Sequence, residues 1–101
     1  MTSRADAGEG ADLTNIGVVY RNLGNYPKAL EYHQQALAIH KEIGDKRGEG
    51  MDLGNIGVVY NYWGDYPKAL EYHQQALAIH KEIGDKRGER IIYKIRHHRD
   101  V

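Results

Sequence analysis

Asn15-Ile16-Gly17-Val18-Val19-Tyr20 returns, residue for residue, as Asn55-Ile56-Gly57-Val58-Val59-Tyr60. Tyr26-Pro27-Lys28-Ala29-Leu30-Glu31-Tyr32-His33-Gln34-Gln35-Ala36-Leu37-Ala38-Ile39-His40 returns as Tyr66 through His80. The offset is 40 residues throughout. Between residues 8–47 and 48–87 only six positions differ: 11/51, 14/54, 21/61, 22/62, 23/63 and 25/65. Self-similarity at a period of roughly 20–50 residues marks a solenoid or an array, in which each unit packs on its neighbours.

Within one unit the spacing is helical. Leu13, Ile16, Gly17 and Tyr20 fall at i, i+3, i+4 and i+7, one face of a helix. Gly17 and Gly57 interrupt that face, each costing about 1 kcal/mol of propensity against alanine. Close approach of a neighbouring helix, where a Cβ would clash, is the expected compensation. Leu23-Gly24-Asn25-Tyr26-Pro27 reads as a stop and a start. Gly24 suits the left-handed position after a helix, Asn25 suits an N-cap, and Pro27 falls in a first turn, where its missing donor does no harm. Gly64, Asp65 and Pro67 repeat the arrangement. The second helix carries Ala29, Leu30, His33, Ala36, Leu37, His40 and Ile43 as its stripe, and Gly44-Asp45 closes it and caps the next. So short a connection implies antiparallel neighbours. The predicted order is helix A, helix B, helix A′, helix B′, with no sheet.

A third copy begins and fails. Gly84-Asp85-Lys86-Arg87-Gly88-Glu89 is faithful, but Arg90 to Val101 is not: Tyr93 replaces Leu53, Arg96 replaces Ile56 and His97 replaces Gly57. This part is expected to turn at Gly84-Asp85 and form a charged capping helix, with Ile92 or Tyr93 packing on helix B′. A truncated or frame-shifted gene end is the alternative. The expected organisation is one domain over 1–101: repeat 1 at about 8–47, repeat 2 at about 48–87, and a partial third repeat at about 88–101.

Composition narrows the function classes. Lys+Arg and Asp+Glu balance at 14 each, so no global field draws the chain to nucleic acid or an anionic membrane. There is no cysteine, hence no disulfide framework, thiolate zinc site or cysteine nucleophile. No apolar run approaches the ~20 residues that span a bilayer, and the first residues lack a signal peptide's apolar core. The expected location is the cytoplasm.

The pattern Leu53, Ile56, Gly57, Tyr60, Gly64, Asp65, Tyr66, Ala69, His73, Ala76 resembles the tetratricopeptide repeat. The resemblance covers nearly the whole chain. It implies an all-α fold: a right-handed α-solenoid of two helix-turn-helix units plus a C-terminal capping helix, with small residues at the helix crossings. Two departures stand out. His33 and His73 occupy a position usually held by tyrosine or phenylalanine, and Lys41 and Lys81 stand where a proline often closes a 34-residue unit. The longer period is similar to the repeats of kinesin light chains, of adaptors that orient the mitotic spindle, and of bacterial regulatory proteins.

The resemblance also implies a concave groove of A helices that receives an extended peptide or a partner helix. Its positions are Ala11, Thr14, Asn15, Val18, Arg21 and Asn22 in the first copy, and Met51, Gly54, Asn55, Val58, Asn61 and Tyr62 in the second. Five of the six differences between copies fall on or beside this surface, as expected of a shared scaffold with a specialised face. Asn15 and Asn55 each offer a donor and an acceptor, suited to gripping a peptide backbone; the competing reading is a hydrogen bond between adjacent A helices. Arg21 is the one clear cation at these positions, too few for a carboxylate clamp, and the groove is not basic enough for a helical-repeat reader of RNA.

No cofactor, metal or catalytic machinery is expected. His33 and His40, like His73 and His80, stand seven apart rather than at the i, i+3 or i, i+4 spacing common for zinc on a helix, and packing explains them better. His97-His98 beside Arg96 and Arg99 reads as a solvated tail. There is no phosphate loop or nucleophile elbow, and only Thr2, Ser3 and Thr14 carry aliphatic hydroxyls. The favoured function is a non-enzymatic protein–protein interaction scaffold. The alternative is a structural or self-assembly module without a separate ligand. Arrays generally need three or more units, so a homodimer is expected, through end-to-end stacking or exchange of a helical hairpin across Gly44-Asp45 or Gly84-Asp85.

Overall fold

A computed structural model describes the backbone of residues 6–99 and the side chains of residues 6–84. The described residues form four helices: α1 (Ala7–Asn22), α2 (Tyr26–Glu42), α3 (Lys46–Trp63) and α4 (Tyr66–Arg99). Packing follows chain order, α1 on α2, α2 on α3 and α3 on α4, with only a slight approach of α1 to α3. The chain is therefore a two-unit helical solenoid, as the repeat predicts.

The turns are built as the sequence implies. Gly24, Gly44 and Gly64 take positive φ, at 79°, 74° and 91°, where only glycine is unstrained. The next residue serves two helices at once. The backbone N–H groups of Asn25, Asp45 and Asp65 donate to the carbonyls of Tyr20, His40 and Tyr60, at 2.9, 2.8 and 2.9 Å, closing the helix behind. Their side chains accept from the N–H groups of Lys28, Gly48 and Lys68, at 3.2, 2.9 and 3.2 Å, opening the helix ahead. Each such cap is worth roughly 1 kcal/mol. Asp6 caps α1 by accepting from Glu9, at 2.7 Å.

At Gly84 the structure departs from expectation. Gly84-Asp85 does not turn; α4 runs through it as one helix of 34 residues. The segment read as a capping helix is helical to Arg99 but continuous with α4 rather than folded back upon it. The local sequence is that of the Gly44 turn, so the cause is not local. At Gly44 the chain turns so that Ile56 and Val59 can be buried; Arg96 and Arg99 hold those register positions in the third copy, and burying unpaired cations is costly. The packing expected of Ile92 or Tyr93 lies outside the described side chains.

The interior is small. Leu53, Ala76 and Ile79 form its centre, with Leu37, Tyr72 and Ile83 against them. Ala29, Ala36, Ala69 and Ala76 are buried at the helix crossings. Tyr20 stacks on Tyr32 and Tyr60 on Tyr72, with centroids 5.5 and 5.6 Å apart. One such pair per unit ties helix A to helix B near their shared turn.

Candidate functional site

The tolerated glycines are explained by histidines. A Cβ on Gly17 would lie 2.6 Å from His33, and one on Gly57 would lie 2.9 Å from His73. What approaches closely is an imidazole ring from helix B. The same holds two turns on: His40 lies against Gly10 and Gly48, and His80 against Gly50. His33 is fully buried and neither ring nitrogen has a hydrogen-bond partner. Burial, and then the Arg21 guanidinium, lower its pKa to about 4, so at neutral pH the ring is an uncharged packing element.

A buried polar seam joins the two units. The His40 Nδ1 pairs with the Asp52 carboxylate. The Thr14 hydroxyl lies 2.9 Å from the other Asp52 oxygen and 3.0 Å from the Gly10 carbonyl. Asp52 is wholly buried, and burial holds its carboxyl above its ordinary pKa, opposed by the hydrogen bonds from His40 and Thr14. This seam was missed from sequence. The available signal was that Asp52 shares the spacing of Ile56 and Val59, placing a carboxylate on the apolar stripe.

The predicted groove positions lie along α1 and α3. Ala11, Thr14, Asn15 and Met51 come together around a recess of about 320 Å³. Thr14 is buried within the seam, so its hydroxyl is already engaged. Asn15 is exposed and Asn55 half-buried; among the described residues no hydrogen bond joins them. The Arg21 guanidinium lies 5.5 Å from the Tyr62 ring centroid and donates to the Asn22 side-chain oxygen at 3.2–3.3 Å, so these three side chains bridge the helices at the far end of the face. Val18, Gly54 and Val58 are half-buried between them, and Asn61 is exposed. Arg47 also lines the recess; the Asp45 cap places it in the first turn of α3, one turn before Met51.

A larger crevice, of about 1120 Å³, lies elsewhere, between α2 and the α3–α4 corner, with Leu30, Gln34, Tyr60, Trp63 and Lys68 among its walls. It joins none of the predicted groove positions. Among the described residues no three His, Cys, Asp or Glu side chains converge as a metal site would need, and no helix is long and apolar enough to cross a membrane.

Paired antiparallel helices, glycine–aspartate turns and small residues at the crossings define a helical-repeat solenoid. The profile of the tetratricopeptide repeat matches residues 11–82, and the chain belongs to that family. No curated protein sequence matches it. The family is in general a protein–protein interaction module.

Proposed function

We propose that the protein is a non-enzymatic interaction scaffold whose α1–α3 face holds an extended segment of a protein partner. The observation that carries this reading is the arrangement on that face. Asn15 borders an apolar recess with Ala11 and Met51, Asn55 lies further along, and neither amide is committed to the other. Amides of this kind bind a peptide backbone through paired donor and acceptor contacts, while exposed Met51 offers adaptable apolar contact for side chains and half-buried Val58 a stiffer one. Arg21 and Tyr62 close one end, and Arg47 supplies a cation at the other. The face is neutral to weakly basic, suited to a peptide of mixed rather than strongly acidic character.

Selection of binders from a displayed peptide library tests this. Peptides selected on the wild-type chain should bind the Asn15→Ala/Asn55→Ala double variant at least tenfold more weakly, about 1.4 kcal/mol, with folding unchanged. Equal binding to both would remove the proposed role of the asparagines.

A further inference from the structure

Among the described residues, the α2–α3 interface is presented again, unfilled, on the outer faces of α1 and α4. Asp52 of α3 pairs with His40 of α2, and Ile56 and Val59, at i+4 and i+7 from Asp52 on the same helix face, are both 0% exposed. Their counterparts on α1, Ile16 and Val19, are 39% and 55% exposed, and Asp12, the counterpart of wholly buried Asp52, is exposed. The other end shows the complement. On α2, Leu30 and Leu37 are half-buried and His40 is buried, with Leu37 packed on the Leu53 cluster and His40 paired with Asp52. Their counterparts Leu70 and Leu77 are 59% and 53% exposed, and His80 is exposed with one side of its ring on Gly50. Residues 26–44 and 66–84 are identical, as are Asp12, Ile16 and Val19 to Asp52, Ile56 and Val59. The two end faces are therefore the two halves of an interface that the molecule already forms internally.

We infer that a second copy of this chain docks head-to-tail, its α1 lying on α4 as α3 lies on α2, with His80 of one chain pairing with Asp12 of the next. The chain's own downstream segment is a poor occupant of α4: at the register of Asp52, Ile56 and Val59 it carries Ile92, Arg96 and Arg99, which offer His80 no carboxylate and set cations against leucines. A second copy offers the matched residue at every one of these positions. The contact is heterologous, one face against a different face, so it leaves both outer ends free and extends unless rotation closes it. It is also a reduced version of the internal seam. Gly54 takes the place of Thr14, and Asn61 and Asn22 take the places of Arg21 and Tyr62, removing the hydroxyl and the cation–π contact. The stack is consequently reversible and concentration-dependent.

Two variants of the full chain test this in sedimentation equilibrium. Asp12→Lys spoils only the α1 face; Leu77→Asp spoils only the α4 face. Both sites are exposed, and circular dichroism verifies folding; Val19→Lys and Leu70→Asp serve as second choices. The wild-type mass should rise with concentration past that of a dimer. Each variant alone should remain monomeric, its association weakened about tenfold or more. Mixed, the two should form a 1:1 dimer and nothing larger, because one intact seam is left. A wild-type chain that is monomeric at several hundred micromolar overturns the inference. So does either variant associating alone as the wild type does, which would mark a symmetric contact.

Discussion

The His33 ring occupies the space that a side chain on Gly17 would need: a Cβ there would meet ring atoms at 2.6, 2.7 and 2.9 Å. The ring that makes this contact is fully buried. Gly17→Ala should therefore destabilise the chain, because overpacking costs about 1–3 kcal/mol and exceeds the ~1 kcal/mol gained in helix propensity. Urea denaturation checks this. A more stable Gly17→Ala chain would show that the ring can move aside.

The same ring makes stability depend on pH. His33 titrates at about 4 when folded, against 6.5 when exposed. The unfolded state thus binds its proton first as pH falls. The contribution is fully present above about pH 6.5, is lost progressively down to about pH 4, and changes no further below. The loss amounts to roughly 3 kcal/mol. His33→Leu should flatten the denaturation midpoint across this window. An unchanged slope would assign the dependence to other groups.

Gly44 and Gly84 sit in the same local sequence and should respond oppositely. Gly44 needs its φ of +74°, so Gly44→Ala should cost about 1 kcal/mol or more. Gly84 is helical with open space where a Cβ would stand, so Gly84→Ala should stabilise by about 0.5–1 kcal/mol. Thermal melts followed at 222 nm separate the two. Destabilisation by both would mean that Gly84 turns in solution.

Asp52 and Asp12 are equivalent in sequence but not in surroundings. Asp52→Ala leaves buried His40 without its partner and Thr14 with only the Gly10 carbonyl, and should cost about 1–3 kcal/mol. Asp12→Ala, at an exposed site, should stay within about 0.5 kcal/mol at concentrations where chains do not associate. Combining Thr14→Val with Asp52→Ala should cost less than the two changes separately, since both break one network. Additive losses would show that Thr14 and Asp52 act independently.

Much of this architecture was legible because it is local. The period, the Gly-Asn and Gly-Asp turns, the caps and the apolar stripes each rest on residues within one or two helical turns. What was not legible depends on partners far along the chain. Asp52 draws its role from His40 and from Thr14 in another helix, and its only local mark is a place on an apolar stripe. The absent turn at Gly84 depends on what lies downstream, where Arg96 and Arg99 replace residues that would otherwise be buried. The groove positions are what the resemblance to the tetratricopeptide repeat implies, carried over residue by residue, and no local pattern marks them. Sequence put Thr14 among them because it could not show that its hydroxyl was occupied.

Amide chemical-shift mapping of a library-selected peptide on the Leu77→Asp chain, in which self-stacking is suppressed, shows whether the α1–α3 face is the binding surface. Saturable shifts centred on Asn15, Met51, Asn55 and Tyr62 are expected. Shifts centred instead on Gln34, Trp63 and Lys68 would place the partner in the crevice beside α2 and contradict the proposed role of the α1–α3 face.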